Sequence, residues 1–187
     1  MLILSSNSPR RQELLAGLDI PYKVYVIKGI DESYPDTLPA EEVAEHIAVK
    51  KSAPYTAQIA GTDDIVLTAD TVVVVEGEIM GKPKDAADAC CMLRKLSGRT
   101  HQVYTGVCLT ADGWQKRFTV KTDVTFRELD DSEIQYYVDT YKPFDKAGAY
   151  GIQEWIGYIG ITHINGSYYN VMGLPVQRIY NELKARL

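Results

Sequence analysis

Residues 65–80 are the most apolar stretch of the chain and read IVLTADTVVVVEGEIM. A continuous apolar run bounded by turn residues predicts a strand in the interior of a sheet, because a strand exposed on one face alternates apolar with polar residues. We therefore predict a central strand, then a turn at Glu76-Gly77 and a short return strand to Met80. A central strand needs a neighbour on each side, so the remaining chain must supply further strands.

The rest of the chain alternates between strand and helix patterns. Residues 1–5, MLILS, form a short apolar run typical of a buried strand, and residues 22–27, YKVYVI, alternate as a second strand. Between them, Ser8 suits the N-cap of a helix and Pro9 suits its first turn. This order of strand, helix and strand is typical of α/β proteins.

Later segments predict antiparallel pairs as well. Residues 101–110 and 116–127 indicate two strands joined by a tight turn, and residues 157–172 indicate a hairpin about Asn165-Gly166. Because hairpins lie among strand–helix units, we predict an α/β fold with a mixed sheet of about seven strands or more, and roughly five helices.

Net charge and cysteine usage limit the classes of function. The chain of 187 residues carries a net charge of −5, which disfavours binding to nucleic acid polymers, because their non-specific affinity comes from lysine and arginine. No apolar run approaches the ~20 residues of a membrane-spanning helix. The three cysteines, Cys90, Cys91 and Cys108, include no CxxC pair, and their odd number is typical of a reducing compartment. We expect a cytoplasmic protein with no membrane and no nucleic acid polymer as partner.

The motif SSNSPRR at residues 5–11 places a small polar loop between a strand and a helix start. Such a loop presents backbone N–H groups and hydroxyls to an anion. Arg10 and Arg11 lie at the positive end of the helix dipole, which costs roughly 0.3–1 kcal/mol each unless an anion offsets it. A phosphate site and a pair of surface arginines beside an ordinary cap both remain open on this motif alone.

Asp70 interrupts the apolar central strand. An unpaired buried carboxylate is costly, so we expect Asp70 to have a metal, a role as a base, or a structural hydrogen-bond network. Thr71 follows it and is a candidate for the same cleft.

Further acids and lysines offer partners for such a site. Asp31 and Glu32 lie in a loop after a strand and, with Asp70, could supply the oxygen ligands that Mg²⁺ or Mn²⁺ prefers. Lys51 and Lys82 are candidate phosphate contacts. The chain has no HExxH, Walker or GxSxG motif, which disfavours a zinc hydrolase, a P-loop NTPase and an α/β-hydrolase. These residues favour phosphoanhydride chemistry on a small substrate but do not select that substrate.

Eight motifs occur in order along the chain. They are SNSPRRQELL, GIDE, ADTVV, GKP, LRKLSGRTHQV, DVTFR, DKAGAYGIQ and INGSYYNVMGLP. On these motifs the chain closely resembles the Maf family of nucleoside triphosphate pyrophosphatases, also called septum formation inhibitor proteins. The resemblance covers nearly the whole length, so we predict a single Maf-like nucleotide pyrophosphatase domain over residues 1–187.

The resemblance implies a fold and a reaction. The implied fold is an elongated mixed β-sheet with flanking helices, with two lobes around a cleft, similar to inosine triphosphate pyrophosphatases and often dimeric. The implied reaction converts a nucleoside triphosphate to its monophosphate and pyrophosphate with a divalent cation, Mg, Mn or Co.

The resemblance also assigns roles to individual residues. Carried over motif by motif, they are Ser6, Arg10 and Arg11 for the phosphates, Glu32 and Asp70 for the metal, Asp70 as proton acceptor, Lys51 and Lys82 as further catalytic groups, and Arg11, Thr71 and Gln153 as the specificity set. This set is similar to that of the subgroup acting on dTTP and UTP. The chain departs from the family at Ser52 and at Glu154-Trp155, next to Gln153.

The sequence therefore leaves three alternative functions open. The first is hydrolysis of dTTP and UTP, together with modified pyrimidine nucleotides. The second is hydrolysis of 7-methyl-GTP. The third is non-catalytic nucleotide binding by a regulator of cell division, which a complete set of candidate acids disfavours.

Overall fold

The computed structural model describes residues 1–186, and Leu187, the last residue of the predicted domain, lies outside that range. The strands are β1 (Leu2–Leu4), β2 (Tyr22–Val24), β3 (Ile65–Val75), β4 (Glu78–Met80), β5 (Thr100–Ala111), β6 (Trp114–Phe126) and β7 (Ile161–Asn165). The α-helices are α1 (Pro9–Ala16), α2 (Ala40–Ser52), α3 (Thr56–Ile59), α4 (Ala86–Leu96), α5 (Asp131–Tyr141), α6 (Trp155–Gly160), α7 (Tyr168–Met172) and α8 (Val176–Leu183). Two 3₁₀ turns occupy Ala53–Tyr55 and Ala147–Ala149.

The strands form one mixed sheet. Its order is β2-β1-β3-β5-β6-β7, and β4 pairs with β3 outside this path. β1 is parallel to both β2 and β3, whereas β4 and β7 pair antiparallel with β3 and β6. The predicted α/β class with a mixed sheet is confirmed, and β3 lies in the interior of the sheet as the apolar run at residues 65–80 predicts.

The chain divides into two compact units. The first contains residues 1–71, 105–120 and 173–186, and the second contains residues 72–104 and 121–172. The cleft that the resemblance implies stays a prediction. No helix within residues 1–186 has both the length and the apolar character to cross a membrane.

In the first unit, α2 packs unusually close to the sheet. A Cβ atom added to Gly106 of β5 would lie 2.1 Å from the backbone nitrogen of Glu45 and 2.2 Å from the backbone carbon of Ala44. Only glycine permits this approach, because both neighbouring atoms belong to the backbone of α2. The contact fixes the helix whose last turn carries Lys51.

In the second unit, a large apolar cluster joins β3 to the helices. Val73, Leu93, Phe126 and Ile134 are among its buried members, with at most 3% of any side chain exposed. The cluster extends to Ile152 in the glycine-rich segment before α6. This packing gives the irregular segment a fixed apolar support.

The predicted hairpin about Asn165-Gly166 is wrong. Residues 155–160 form α6, β7 pairs with β6, and the chain after Gly166 turns into α7. Local hydrogen bonds explain the helix: the Ser167 hydroxyl accepts the Asn170 N–H at 3.2 Å, and the buried Asn170 amide donates to Val103 O and Thr122 Oγ1. These bonds anchor residues that a return strand would have placed elsewhere.

The predicted strand at residues 22–27 is also shorter than expected, because β2 ends at Val24. Beyond it, the Tyr25 carbonyl accepts from the Tyr55 hydroxyl at 3.0 Å, and the Ile27 N–H donates to the same hydroxyl at 2.8 Å. A side chain therefore takes the place of a neighbouring strand.

His101 gives the fold a testable pH dependence. Its side chain is fully buried, its Nε2 lies 2.6 Å from the Tyr150 hydroxyl, and burial lowers its pKa to about 4 from the ordinary 6.5. Between those values the unfolded chain binds the extra proton, so the free energy of unfolding falls as pH drops through this window, by about 3 kcal/mol at most. Urea unfolding of wild type and His101→Gln across that range measures the loss, which the variant should lack.

The exposed His163 provides the matched control. His163→Gln should keep the wild-type pH dependence. Equal pH dependence in wild type and His101→Gln would contradict the assignment to His101.

Candidate active site

The loop between β1 and α1 has the conformation that its sequence predicts. Ser8 is the N-cap of α1, its hydroxyl accepts the Arg11 N–H at 3.5 Å, and Pro9 begins the helix. The Ser6 hydroxyl accepts the Ser8 N–H at 3.2 Å. Two serine hydroxyls thus shape a polar turn at the positive end of the α1 dipole, the arrangement that binds anions.

Arg11 points back from this loop into the first unit. Its guanidinium donates to the Gly173 carbonyl at 2.8 Å, to the Ala69 carbonyl at 2.9 Å and to Thr71 Oγ1 at 3.0 Å. Thr71 Oγ1 also lies 2.9 Å from Thr105 Oγ1. The structure therefore brings together Arg11 and Thr71, two of the three predicted specificity residues.

The charge of Arg11 has a specific environment. Burial lowers its pKa, the nearby Asp70 and Glu32 carboxylates raise it, and the Arg10 charge lowers it. Arg11 therefore interacts electrostatically with three other charged residues of the candidate site, Arg10, Glu32 and Asp70. Its three contacts offset part of the unfavourable placement at a helix start that the sequence indicates.

We predict that Arg11→Lys impairs the site more than its charge-conserving nature suggests. A lysine ammonium cannot reproduce the planar geometry that joins Gly173, Ala69 and Thr71. The melting temperature should fall by several degrees, since about 1–3 kcal/mol is lost when such partners go unpaired. Differential scanning calorimetry measures the shift in melting temperature. The control is the reverse substitution, Lys23→Arg, at an exposed position of β2, which should leave the melting temperature unchanged. An unchanged melting temperature for Arg11→Lys would contradict a stabilising role for the three hydrogen bonds of Arg11.

Asp70 has the partner that its position demands. Lys51 Nζ donates to Asp70 Oδ1 at 2.8 Å and lies 3.3 Å from Glu32 Oε1. The Lys51 and Asp70 side chains are 16% and 17% exposed, whereas Glu32 is 58% exposed. Lys51 lies in the last turn of α2, where a cation is favourable. The structure thus joins three predicted residues into one acid–lysine–acid cluster.

The adjacent acids Asp31 and Glu32 have different partners. Asp31 Oδ2 accepts from Lys50 Nζ at 2.7 Å and from the Ser33 hydroxyl at 2.6 Å. Glu32 instead faces Lys51. Neighbouring lysines of α2 therefore separate the two acids, and Glu32 alone of this pair joins Asp70.

Tyr55 is a residue of this site that the sequence did not indicate. Its side chain is 1% exposed, and its hydroxyl lies 2.6 Å from Ser5 Oγ in addition to its bonds to Tyr25 and Ile27. It thereby joins the loop between β1 and α1 to the segment that leads to Glu32. These contacts span 28 to 50 residues of sequence, so no local pattern reports them.

Lys82 and Gln153, the remaining predicted residues, lie in the second unit. Lys82 is exposed after β4, and the preceding Gly81 carbonyl accepts the Gly148 N–H at 3.1 Å. Gln153 is half-buried, and its Oε1 atom is buried with no hydrogen-bond partner among the described residues. The convergence of these two residues with those of the first unit stays a prediction.

The carboxylates offer a limited set of metal ligands. Within residues 1–186, no group of three or more His, Cys, Asp or Glu side chains is arranged to hold a metal ion. Glu32 and Asp70 nevertheless converge on one ammonium group, and Mg²⁺ is often held by one or two carboxylates together with substrate phosphates. The donor set fits a metal that arrives with a nucleotide rather than one held in a protein cage.

A mixed sheet with an anion-binding loop and a lysine shared by two carboxylates defines an α/β protein with a candidate phosphate site. The family model described as "Maf-like protein" matches residues 1–186. The chain belongs to the Maf family, as its eight ordered motifs predict.

Three curated relatives share one name. A protein of Phocaeicola vulgatus called "dTTP/UTP pyrophosphatase" is 60% identical, over 98% of this chain and 94% of the relative. Proteins of the same name from Bacteroides fragilis and Flavobacterium psychrophilum are 56% and 47% identical, over 98% and 96% of this chain and 94% and 91% of the relatives. A solved nucleoside-triphosphatase / dITP/XTP pyrophosphatase from Mycobacterium abscessus is 14% identical, with a TM-score of 0.43 over 99% of this chain and 95% of that chain, a likeness too low for any conclusion.

Proposed function

We propose that this chain hydrolyses dTTP and UTP, at the bond between the α- and β-phosphates, to the monophosphate and pyrophosphate. The curated name of the relatives supports the enzyme class and these substrates. The observation that carries the chemistry is the Lys51 ammonium held between Asp70 and Glu32. Such a cluster next to an anion-binding helix start provides a base and cationic groups for phosphoryl chemistry.

In the proposed reaction, Asp70 accepts a proton from the attacking water. The water oxygen forms a bond to the α-phosphorus, the bond from that phosphorus to the bridging oxygen breaks, and pyrophosphate leaves. Lys51 orients the Asp70 carboxylate through its contact at 2.8 Å. General-base assistance of this kind is typically worth about 10²- to 10⁴-fold in rate.

The loop between β1 and α1 is the part of the site that we propose binds the phosphates. Ser6, Arg10 and the N–H groups at the start of α1 bind the phosphates, because this helix end carries positive potential. Lys82 supplies a further cation to the phosphates. Glu32 and Asp70 are the residues that would hold a divalent cation, Mg, Mn or Co, which would neutralise charge on the phosphate oxygens.

Gln153 is the proposed reader of the base. Its buried Oε1 lacks a partner in the described structure and can accept the N3–H of uracil or thymine. Cytosine has no hydrogen at N3, so an acceptor at this point disfavours CTP. The N1–H edge of guanine presents the same donor as uracil, which keeps 7-methyl-GTP as the alternative substrate.

Pyrophosphate release from a panel of nucleotides tests the proposal. With Mg²⁺, Mn²⁺ or Co²⁺ supplied in turn, dTTP and UTP should be turned over faster than CTP, ATP and 7-methyl-GTP. Faster turnover of 7-methyl-GTP would establish the alternative. Nucleotide binding without any release would indicate the non-catalytic regulator.

The dimer follows from the family resemblance, and the location follows from the odd number of cysteines. We propose a cytoplasmic homodimer that takes a small nucleoside triphosphate as its ligand. Light scattering on the purified chain measures the mass in solution, and a monomer mass would contradict the dimer.

A further inference from the structure

A four-residue turn in the second unit carries Gln153. The Glu154 N–H donates to the Gly151 carbonyl at 3.0 Å and closes the turn around Ile152 and Gln153. The Tyr137 hydroxyl accepts the Gly151 N–H at 3.1 Å and donates to Glu154 Oε2 at 3.4 Å. One tyrosine therefore holds the residues on both sides of the predicted base reader.

An ion pair fastens the same turn from its other side. Lys146 Nζ lies 3.0 Å from Glu154 Oε1, and the two side chains are only 11% and 17% exposed. A pair this poorly solvated offsets its desolvation cost only with good geometry and further hydrogen bonds, which the Tyr137 hydroxyl supplies. Both carboxylate oxygens of Glu154 thus have assigned partners.

The close packing of the turn limits its freedom. A Cβ atom on Gly151 would lie 2.5 Å from Glu154 Oε1, and one on Gly157 would lie 1.9 Å from the Ile152 carbonyl oxygen. Tyr137 itself is fully buried, in contact with the apolar cluster of the second unit. The backbone contact at Gly157 in α6 therefore excludes a side chain there, whereas a side chain at Gly151 would displace the Glu154 carboxylate from its position.

We propose that Tyr137, Glu154 and Lys146 are positioning residues that fix the Gln153 amide and so set the choice of base. This inference rests on the proposed function. None of the three residues needs to touch the nucleotide, because each acts through the turn.

The physical argument is one of preorganisation. On a mobile turn, the Gln153 side chain can move away from a base that does not match it, so that water relieves the unpaired group. On a fixed turn, the Gln153 backbone stays in place, and the wrong base then leaves a buried polar group unpaired. We call Tyr137, Glu154 and Lys146 the clamp. Discrimination between UTP and CTP is therefore the property that the clamp controls.

The test is the ratio of kcat/KM for UTP to that for CTP. Tyr137→Phe removes only the hydroxyl, and we expect this ratio to fall about tenfold, the order of one buried hydrogen bond. In a Gln153→Ala background, the same substitution should leave the ratio unchanged, because its effect passes through the amide. An unaltered ratio in the single variant, or an equal fall in both backgrounds, overturns the inference.

Controls separate this role from general destabilisation. Tyr22→Phe removes the hydroxyl of a partly buried tyrosine in the first unit, which donates to the Gln12 carbonyl at 2.8 Å, and it should leave the UTP/CTP ratio at the wild-type value. Glu154→Gln keeps the side-chain volume but loses the charge that pairs with Lys146, so it should also lower the UTP/CTP ratio. This variant provides the test if Tyr137→Phe does not fold. A folded Glu154→Gln protein with the wild-type ratio also overturns the inference.

Failure of the proposed function has a different signature. If the wild-type protein releases no pyrophosphate from UTP, the proposed enzymatic function itself is refuted. A wild-type chain that discriminates UTP from CTP, combined with variants that discriminate equally well, refutes the clamp alone.

Discussion

Asp70→Asn should lower kcat for UTP by about 10²- to 10⁴-fold, the usual worth of general-base assistance. The amide keeps the shape of the carboxylate but cannot take the proton of the attacking water. The fold should persist, because Lys51 retains Glu32 at 3.3 Å as an acidic partner. Steady-state pyrophosphate release, read beside a thermal melt, separates the loss of chemistry from a loss of structure.

The control for this variant is Asp63→Asn, an equal change at an exposed residue of the first unit. It should leave kcat within about twofold of the wild type, as surface substitutions away from a site usually do. Turnover by Asp70→Asn within a few-fold of the wild type would remove Asp70 from the role of base.

Gly106→Ala should destabilise the protein by about 3 kcal/mol or more. The added methyl group would lie 2.1 Å from the Glu45 nitrogen, so either β5 or α2 must move. Overpacking of a core typically costs 1–3 kcal/mol, and here the atoms in the way belong to the rigid backbone of a helix. Denaturant unfolding measures the loss. Displacement of α2 would also carry Lys51 away from Asp70, so kcat should fall in the molecules that remain folded.

Gly17→Ala is the matched control, because the same methyl group would make only ordinary van der Waals contacts there. Gly17 has φ −66° and ψ −7° at the end of α1, and its nearest contact would be the Leu14 carbonyl oxygen at 3.4 Å. Alanine there reduces the freedom of the unfolded chain and should stabilise the protein by about 0.4–1 kcal/mol. A loss for Gly106→Ala no larger than about 1 kcal/mol would show that α2 adapts to the methyl group.

Local patterns explain which parts of the fold could be predicted. The apolar run at residues 65–80 indicates β3 and β4, and Ser8-Pro9 indicates the start of α1, because each signal lies within a few neighbouring residues. The hairpin about Asn165-Gly166 fails as a prediction, since bonds to the distant Val103 and Thr122 determine that segment.

Local sequence patterns predict the candidate site only in part, for the same reason. Burial alone indicates that Asp70 needs a partner, but its identity, Lys51, depends on how α2 lies against β3. The clamp around Gln153 depends likewise on Tyr137, a residue of α5 whose spacing resembles that of any core position. Family motifs supply the residues predicted to touch substrate, whereas those that hold them in place emerge only from the packed structure.

The hydroxyl of Tyr55 also bears on self-association. β2 is the last strand at its end of the sheet, and its final residue Val24 and the following Tyr25 are 42% and 46% exposed. An open edge of this kind invites pairing with another chain and fibril growth. The Tyr25 N–H donates to the Leu4 carbonyl of β1, so the Tyr25 carbonyl and the Ile27 N–H that Tyr55 bonds lie on the side of the chain that faces β1. Tyr55 therefore stops the pairing of β2 with β1 after three residues, which keeps the edge strand open to another chain short.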